Sequence, residues 1–230
     1  MRNKLLLLLC LVFQPIGAPA AEPDEAKYIG MVEQGVALAK AGKGGEAIAG
    51  YLDPVVAHFD SRLADSSHVY YCSHSQQETL LYALKGAADN KDTIVLGSAW
   101  CDALYVKAFA LIDLKRLDEA EISLRRALAL APERSLYLNE LGHVLTARKN
   151  WAEAKAAFAH AEAAAEIASS DAKAMKSRGC RGIGYVEVEE NKLDEAEATY
   201  NRCLGIDPAD AQSRAELGYI RKVRAQRKTQ

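Results

Sequence analysis

The sequence predicts an all-α protein, a right-handed α-solenoid of stacked antiparallel helix pairs, and three spacings lead to that fold class. The shortest spacing separates Ala120 from Ala154, and the spacing from Ala154 to Ala196 is longer by eight positions. The spacing from Pro132 to Pro208 equals twice the shortest one plus the same eight positions. A unit of about 34 residues with one insertion of eight residues accounts for all three. A fixed period of this length is typical of helix pairs stacked into an array.

Other positions repeat with the same period. Small residues recur in the first helix of each unit, and large apolar or aromatic residues recur in the second helix. The small residues are Ala108, Gly142 and Gly184, and the large ones are Leu124, Phe158 and Tyr200. A small residue lets two helices approach closely, and a large one fills the space between neighbouring pairs. Apolar residues at helical spacing in 105–114 and 136–145 predict amphipathic helices.

This pattern resembles the tetratricopeptide repeat family over roughly residues 98–207. The resemblance implies repeats that present a binding surface, with no cofactor. We expect an export signal over 1–20, an N-terminal helical region with a degenerate repeat over 21–97, and three repeats with a capping helix over 98–230. The eight extra residues, around 167–175, should add about one turn to each of two helices, with Ser169-Ser170-Asp171 as the tip.

The first twenty residues have the composition of an export signal. Arg2 and Lys4 give a positive start, residues 5–13 form an apolar run, and Ala18-Pro19-Ala20 offers small residues for cleavage. The apolar run is too short for a membrane span, which needs about 20 residues. We therefore expect an exported protein, periplasmic or secreted after cleavage, with no transmembrane span in the mature chain.

The charge balance argues against nucleic acid as a partner. The chain has 29 basic and 31 acidic residues, a formal net charge of −2, and removal of Arg2 and Lys4 makes it more negative. A general nucleic-acid binder would need a clear basic excess.

The start of the mature chain departs from the repeat pattern. Gly35 and Ala47 stand in repeat positions, and Lys43-Gly44-Gly45 is the expected turn between them. Pro54 is expected to interrupt the second helix, because proline has no amide donor and collides with the preceding turn. A separate short helix is expected over 55–63.

The stretch that follows contains one clear helix signal. Ser75 and Glu78 form a capping box ahead of an apolar run, which predicts a helix over 76–88. Residues 89–97 are expected to be a connector. Ser98 is expected to cap the first helix of the first regular repeat.

Four cysteines remain in the mature chain, and an even number in an exported protein predicts disulfide bonds. Cys180 and Cys203 lie at positions that face each other in an antiparallel helix pair, which predicts one bond. The bond between Cys72 and Cys101 follows by elimination. The alternative is that Cys203 merely replaces the small alanine of the repeat.

Metal and catalytic sites are not expected. His68, Cys72 and His74 could ligate zinc, but no second cluster completes a tetrahedral set. His143 and His160 have no acid or nucleophile at a suggestive spacing, so no catalytic residue is assigned.

The first helices of the repeats predict the binding surface. In the family these helices line a groove, and the corresponding positions here mix aromatic, apolar and hydrogen-bonding side chains, as peptide grooves require. Phe109 replaces an asparagine of the clamp that reads C-terminal carboxylates in some family members, so chaperone tails are not expected partners. Six residues are expected to form one continuous peptide groove: Tyr105, Phe109, Asn139, His143, Arg181 and Tyr185. The alternative for each is packing against the next repeat or the terminal helix.

Two functions remain open, and an enzyme is the least favoured class. The favoured function is a non-catalytic adaptor of the bacterial periplasm that holds an unidentified partner protein or peptide in the groove. The alternative is an envelope-associated accessory factor whose basic tail binds anionic lipid or cell-wall polymer. That tail carries Arg221, Lys222, Arg224, Arg227 and Lys228.

Overall fold

The structure, a computed structural model, describes residues 25–64, 67–168 and 171–228. Its helices are α1 (Glu25–Lys40), α2 (Gly44–Ala47), α3 (Asp53–Leu63), α4 (Gln76–Ala88), α5 (Ala99–Asp113), α6 (Leu117–Leu130), α7 (Ser135–Ala147), α8 (Trp151–Ala168), α9 (Ala172–Glu189), α10 (Leu193–Ile206) and α11 (Ala211–Lys228). The strands are β1 (Val69–Cys72) and β2 (Thr93–Leu96), and a π-helical segment, Ile48–Leu52, lies between α2 and α3. The predicted export signal over 1–20 and the predicted tip residues Ser169 and Ser170 lie outside the described residues.

The helices stack as antiparallel pairs, which confirms the predicted α-solenoid. The pairs are α5 with α6, α7 with α8, and α9 with α10, and α11 packs on α10. Each pair turns at one residue with a left-handed backbone, which is Lys115 (φ 62°), Lys149 (φ 61°) or Asn191 (φ 62°). The next amide donates to the carbonyl oxygen five residues earlier, as Asn150 does to Leu145 at 2.9 Å. This is the usual way to satisfy the last carbonyl groups of a helix.

The extra eight residues lengthen two neighbouring helices, as predicted. Helices α8 and α9 have 18 residues each, whereas α6 and α10 have 14. Asp171 precedes α9, and its carboxylate accepts a hydrogen bond from the Ala174 amide at 3.2 Å.

Helix α1 and the continuous helix from α2 to α3 form a first, degenerate pair. Gly35 of α1 lies against the side chain of Leu52, and the turn falls at Gly42 (φ 75°) rather than at Lys43-Gly44-Gly45. The predicted interruption at Pro54 is wrong. Pro54 stands in the first turn of α3, where it is tolerated, and the helix widens into the π-helical segment just before it.

A β-α-β unit that no sequence pattern predicted lies between the first pair and α5. Its strands are parallel, with Val69 opposite Thr93 and Cys72 opposite Leu96, so the predicted connector contains a strand. Helix α4 begins as the capping box predicts, because the Ser75 hydroxyl accepts from the Glu78 amide at 3.2 Å. Ser98 precedes α5, but its side chain makes no cap hydrogen bond, contrary to prediction.

Among the described residues the apolar core forms one large cluster and two small ones, of which the smallest consists of Leu138, Ala161 and Ala164. The large cluster runs from Tyr28 in α1 to Val186 in α9 and includes residues on both sides of the domain boundary expected at 97/98. A second cluster joins the outer part of α9 to α10 and α11, with Tyr200 and Ile220 at its centre. The C-terminal end of the array therefore has a core of its own.

Candidate functional site

A pocket of about 510 Å³ lies between α7, α9 and α11. His143, Arg181 and Tyr185, three of the six predicted groove residues, line it together. The buried rings of Phe158 and Tyr200 reach it from the second helices. Its remaining lining residues are Arg178, Gly182, Gln212, Ala215 and Glu216.

Glycines let the aromatic rings reach the pocket. A Cβ atom on Gly142 would lie 2.6 Å from the Phe158 ring, and one on Gly182 would lie 2.4 Å from the same ring. A Cβ atom on Gly184 would lie 2.8 Å from the Tyr200 ring. Such distances are well inside van der Waals contact, so a larger residue would have to displace a ring. The structure places Gly142 and Gly184 at close helix crossings, as the repeat pattern predicts.

The two arginines of the pocket are already paired with acids. The Arg181 guanidinium donates to the carboxylate of Asp210 at 3.0 Å, and Arg178 donates to Glu140. Asp210 also accepts hydrogen bonds from the first turn of α11, so Arg181 fixes that helix against α9. Burial, and after it the Arg178 charge, lowers the pKa of His143. The imidazole is therefore neutral at neutral pH and offers one donor and one acceptor.

The other three predicted groove residues lie outside this pocket. Tyr105 and Phe109 line a separate apolar pocket of about 120 Å³ between α5 and α1, and the Tyr105 ring stacks on Tyr137 at 5.0 Å. Asn139 is fully buried, and its amide donates to the carbonyl oxygens of Ser135 and Met175. Asn139 therefore joins α7 to α9, and its expected role in the groove is corrected. Five of the six residues therefore line two separate pockets rather than one continuous patch, and the sixth, Asn139, is buried.

The residues that α11 contributes to the pocket were missed, although the repeat carries a signal for two of them. Gln212 stands one repeat period after Arg178, and Ala215 stands one repeat period after Arg181. Extending the period by one more unit therefore places the capping helix at the groove. Glu216 stands one repeat period after Gly182, which also lines the pocket but is not a groove position that the repeat pattern predicts.

The structure joins both predicted cysteine pairs. Cys180 of α9 is bonded to Cys203 of α10 with a sulfur–sulfur distance of 2.04 Å. Cys72 of β1 is bonded to Cys101 of α5 with a distance of 2.02 Å. The first bond closes a helix pair beside the pocket, and the second ties the β-α-β unit to the solenoid.

A cluster of charged and polar side chains fixes the β-α-β unit beside its disulfide, and no sequence signal predicted it. His74 lies between two carboxylates, 3.3 Å from Glu78 through Nδ1 and 3.0 Å from Asp102 through Nε2. Arg134 donates to Glu78 at 2.9 Å, and the Tyr137 hydroxyl donates to Asp102 at 2.7 Å. Glu78 is fully buried, so this pairing offsets the cost of burying its charge. The cluster has no group placed as a nucleophile.

No group of three or more histidine, cysteine or acidic side chains that could hold a metal ion occurs in the described residues. Of the residues considered as zinc ligands, Cys72 is in a disulfide bond, and Nε2 of His68 lies 3.0 Å from Oδ2 of Asp92. Among the helices that the structure describes, none has the length and apolar character needed to cross a membrane.

The basic C-terminal tail is partly engaged within the protein. Arg224 forms ion pairs with Asp194 and Glu197 of α10, and Arg227 donates to Asn191 in the turn before α10. These contacts give the two arginines a structural role in seating α11. Nothing in the arrangement favours lipid or glycan binding.

Comparison with known proteins agrees with the fold. The tetratricopeptide repeat family model matches residues 102–134 and 182–210. A double mutant of MamA from strain RS-1 is 15% identical, covers 91% of this chain and 90% of its own, and has a TM-score of 0.57. MamA from Desulfovibrio magneticus RS-1 is 16% identical, covers 91% of this chain and 90% of its own, and has a TM-score of 0.56. BtubC from P. vanneervenii is 19% identical, covers 90% of this chain and 85% of its own, and has a TM-score of 0.50. No curated protein matches the sequence.

The stacked pairs and their groove define an α-solenoid repeat protein. Its segments 102–134 and 182–210 match the tetratricopeptide repeat family model, and its stacked helix pairs have the fold that the repeat pattern predicts. This fold supports a role as a protein–protein interaction scaffold, and proteins of the family are generally non-catalytic adaptors.

Proposed function

We propose that the chain is an exported, non-catalytic adaptor that holds a segment of a partner protein in the pocket between α7, α9 and α11. The observation that carries the proposal is the convergence of His143, Arg181 and Tyr185 on one opening lined by aromatic rings. Its volume of about 510 Å³ lies in the range of sites that hold small ligands or side chains. Tyr185 is 45% exposed although it is a large aromatic residue, and exposed aromatic residues are typical of binding hot spots.

The two disulfide bonds support the location. Disulfide bonds form and persist in oxidising compartments, including the bacterial periplasm and the exterior. The apolar run and the small residues before residue 21 also support export, because an export signal has this composition. A periplasmic adaptor accounts for both features together with the groove.

A bulky residue in the pocket tests the function. Ala215 lies on α11, is exposed, and lines the pocket, so Ala215→Trp should block the opening without disturbing the core. Ala225→Trp is the matched variant, because Ala225 is exposed on the same helix but away from the pocket. Each protein is photo-crosslinked in the cell envelope, and the crosslinked species are compared by mass spectrometry.

The expected result is a partner that crosslinks to the native protein and to Ala225→Trp but is lost with Ala215→Trp. Both variants should keep the native helical circular dichroism spectrum. A partner that crosslinks equally to all three proteins would place the binding surface elsewhere and overturn the proposal.

A further inference from the structure

One end of the pocket contains a buried tyrosine, Tyr200. Tyr200 is 1% exposed, and its ring passes Gly184 to reach the pocket. No other side chain or backbone group in the described part of the chain forms a hydrogen bond with its hydroxyl. Burial, and after it the Glu216 charge, raises the pKa of Tyr200, so the group stays protonated. The ring is buried and Tyr200 lines the pocket, so its hydroxyl is available to form a hydrogen bond with a ligand there.

The pocket lining also carries a negative charge, that of Glu216. The positive charges of Arg178 and Arg181 are balanced by Glu140 and Asp210. Among the described residues, neither Glu216 nor Glu189 forms an ion pair. Burial, and after it the charge of Glu189, raises the pKa of Tyr185, and the Glu216 charge acts in the same direction on both Tyr185 and Tyr200. The Glu216 carboxylate and the rings of Tyr185 and Tyr200 therefore line the pocket together where α9, α10 and α11 come together.

We propose that this end of the pocket binds a basic side chain, lysine or arginine, of the partner segment. The proposal rests on the proposed function and names the chemistry of the partner. The Glu216 carboxylate would accept hydrogen bonds from the ammonium or guanidinium group, and charge-assisted bonds of this kind are the strong ones. The Tyr200 hydroxyl oxygen would accept another.

The aromatic rings fit the rest of such a side chain. Lysine and arginine have apolar stems that pack along apolar surface while the charged head stays in polar surroundings. A cation over a tyrosine face is also attracted by the ring quadrupole. Because Arg178 and Arg181 are held by acids on α7 and before α11, they do not leave a free positive charge to oppose the ligand.

Peptide pools test the proposal with the full oxidised chain. Acetylated and amidated heptapeptides carry one fixed central residue, which is Arg, Lys, Leu or Glu, between randomised neutral positions. Binding is measured by fluorescence anisotropy. The Arg and Lys pools should bind about tenfold more tightly than the Glu pool, which is the change that one hydrogen bond to a charged group produces.

Three variants assign the preference to the pocket. Glu216→Gln should remove most of the difference between the Arg and Glu pools, and Glu216→Arg should reverse it. Tyr200→Phe should weaken the Arg and Lys pools and leave the melting temperature unchanged, because the hydroxyl has no partner to lose among the described residues. Glu33→Gln removes an exposed glutamate of α1, at the other end of the molecule, and should change none of the affinities.

Each outcome decides the proposal. A preference for Arg and Lys that depends on Glu216 supports it. Equal binding of all pools, tighter binding of the Glu pool, or a basic preference that survives in Glu216→Gln overturns it. Binding of no pool also overturns it, whereas the proposed function is judged separately by the crosslinking of Ala215→Trp, which uses no peptide.

Discussion

Single glycines set how closely neighbouring helices approach, and through that spacing they shape the pocket. The Phe158 ring lies between Gly142 of α7 and Gly182 of α9. Any side chain at either position would push the ring out of its place. The same ring lies 5.0 Å from His143, measured between ring centres, so its displacement would alter the pocket wall.

The same substitution at two helical glycines should have opposite effects. Gly142→Ala places a methyl group 2.6 Å from the Phe158 ring and should destabilise the protein by about 1–3 kcal/mol. Gly218→Ala lies in α11 with no heavy atom within 4 Å of the new group, and it should stabilise by about 0.5–1 kcal/mol. Urea denaturation of the two variants and the native protein measures both. Equal urea midpoints for all three proteins would contradict the packing of Phe158.

At the scale of elements, the β-α-β unit is held to the repeats by the Cys72–Cys101 bond and by the cluster around His74. Burial alone would lower the pKa of His74, but hydrogen bonds to Asp102 and Glu78 outweigh it and raise the pKa above the ordinary 6.5. Burial would raise the pKa of both acids, but the hydrogen bonds from His74 outweigh it. Their pKa values therefore lie below the ordinary 4.5 of Glu78 and 3.8 of Asp102.

These shifts give the cluster a pH window. The stabilisation from the protonated His74 is complete below pH 6.5 and is lost as the pH rises through the raised pKa. The stabilisation from Glu78 and Asp102 is present above their ordinary pKa values and is lost as the pH falls through the lowered ones. The cluster therefore contributes most between pH 4.5 and 6.5.

His74→Gln should accordingly cost more stability in mild acid than in base. The expected loss is about 1.5–3 kcal/mol near pH 5.5, the cost of hydrogen bonds to charged groups, and clearly less near pH 8.5. Chemical denaturation at both pH values measures the loss. His68→Gln serves for comparison, because His68 belongs to the same unit but pairs with an exposed Asp92. A loss for His74→Gln that is the same at both pH values would refute the charged cluster.

The elements differ in how far the sequence reveals them. The repeats are visible because three copies of one pattern stand in register, and the start of α4 is visible because Ser75 and Glu78 are local neighbours. The strands have four residues each, and most of these residues are only partly buried. The strands therefore show no clear alternation of buried and exposed residues. The cluster around His74 could not be predicted for another reason. The contacts of His74 with Asp102 and Tyr137 span 28 and 63 residues of the sequence. Pairing at such distances depends on the folded array.

For the array as a whole, the separation of the C-terminal core cluster from the large one predicts that stability is local. In repeat arrays each unit contacts only its neighbours, so stability is close to a sum of unit and interface contributions. The Cys180–Cys203 bond lies in the C-terminal cluster, and the Cys72–Cys101 bond lies in the large one. Each bond should therefore stabilise its own end of the array.

Removal of the C-terminal bond should loosen α9 to α11 and leave the rest of the array folded. The bond spans 23 residues, and a loop of that size contributes about 3 kcal/mol in the chain-entropy model. In Cys180→Ala/Cys203→Ala, hydrogen–deuterium exchange followed by mass spectrometry should be faster over α9 to α11 and unchanged over α5 and α6. Cys72→Ala/Cys101→Ala should show the converse. Exchange should be faster in the β-α-β unit and α5 and unchanged in α10 and α11. Faster exchange along the whole chain in both variants would mean one cooperative unit. The pocket between α7, α9 and α11 would then depend on the entire fold rather than on its own end of the array.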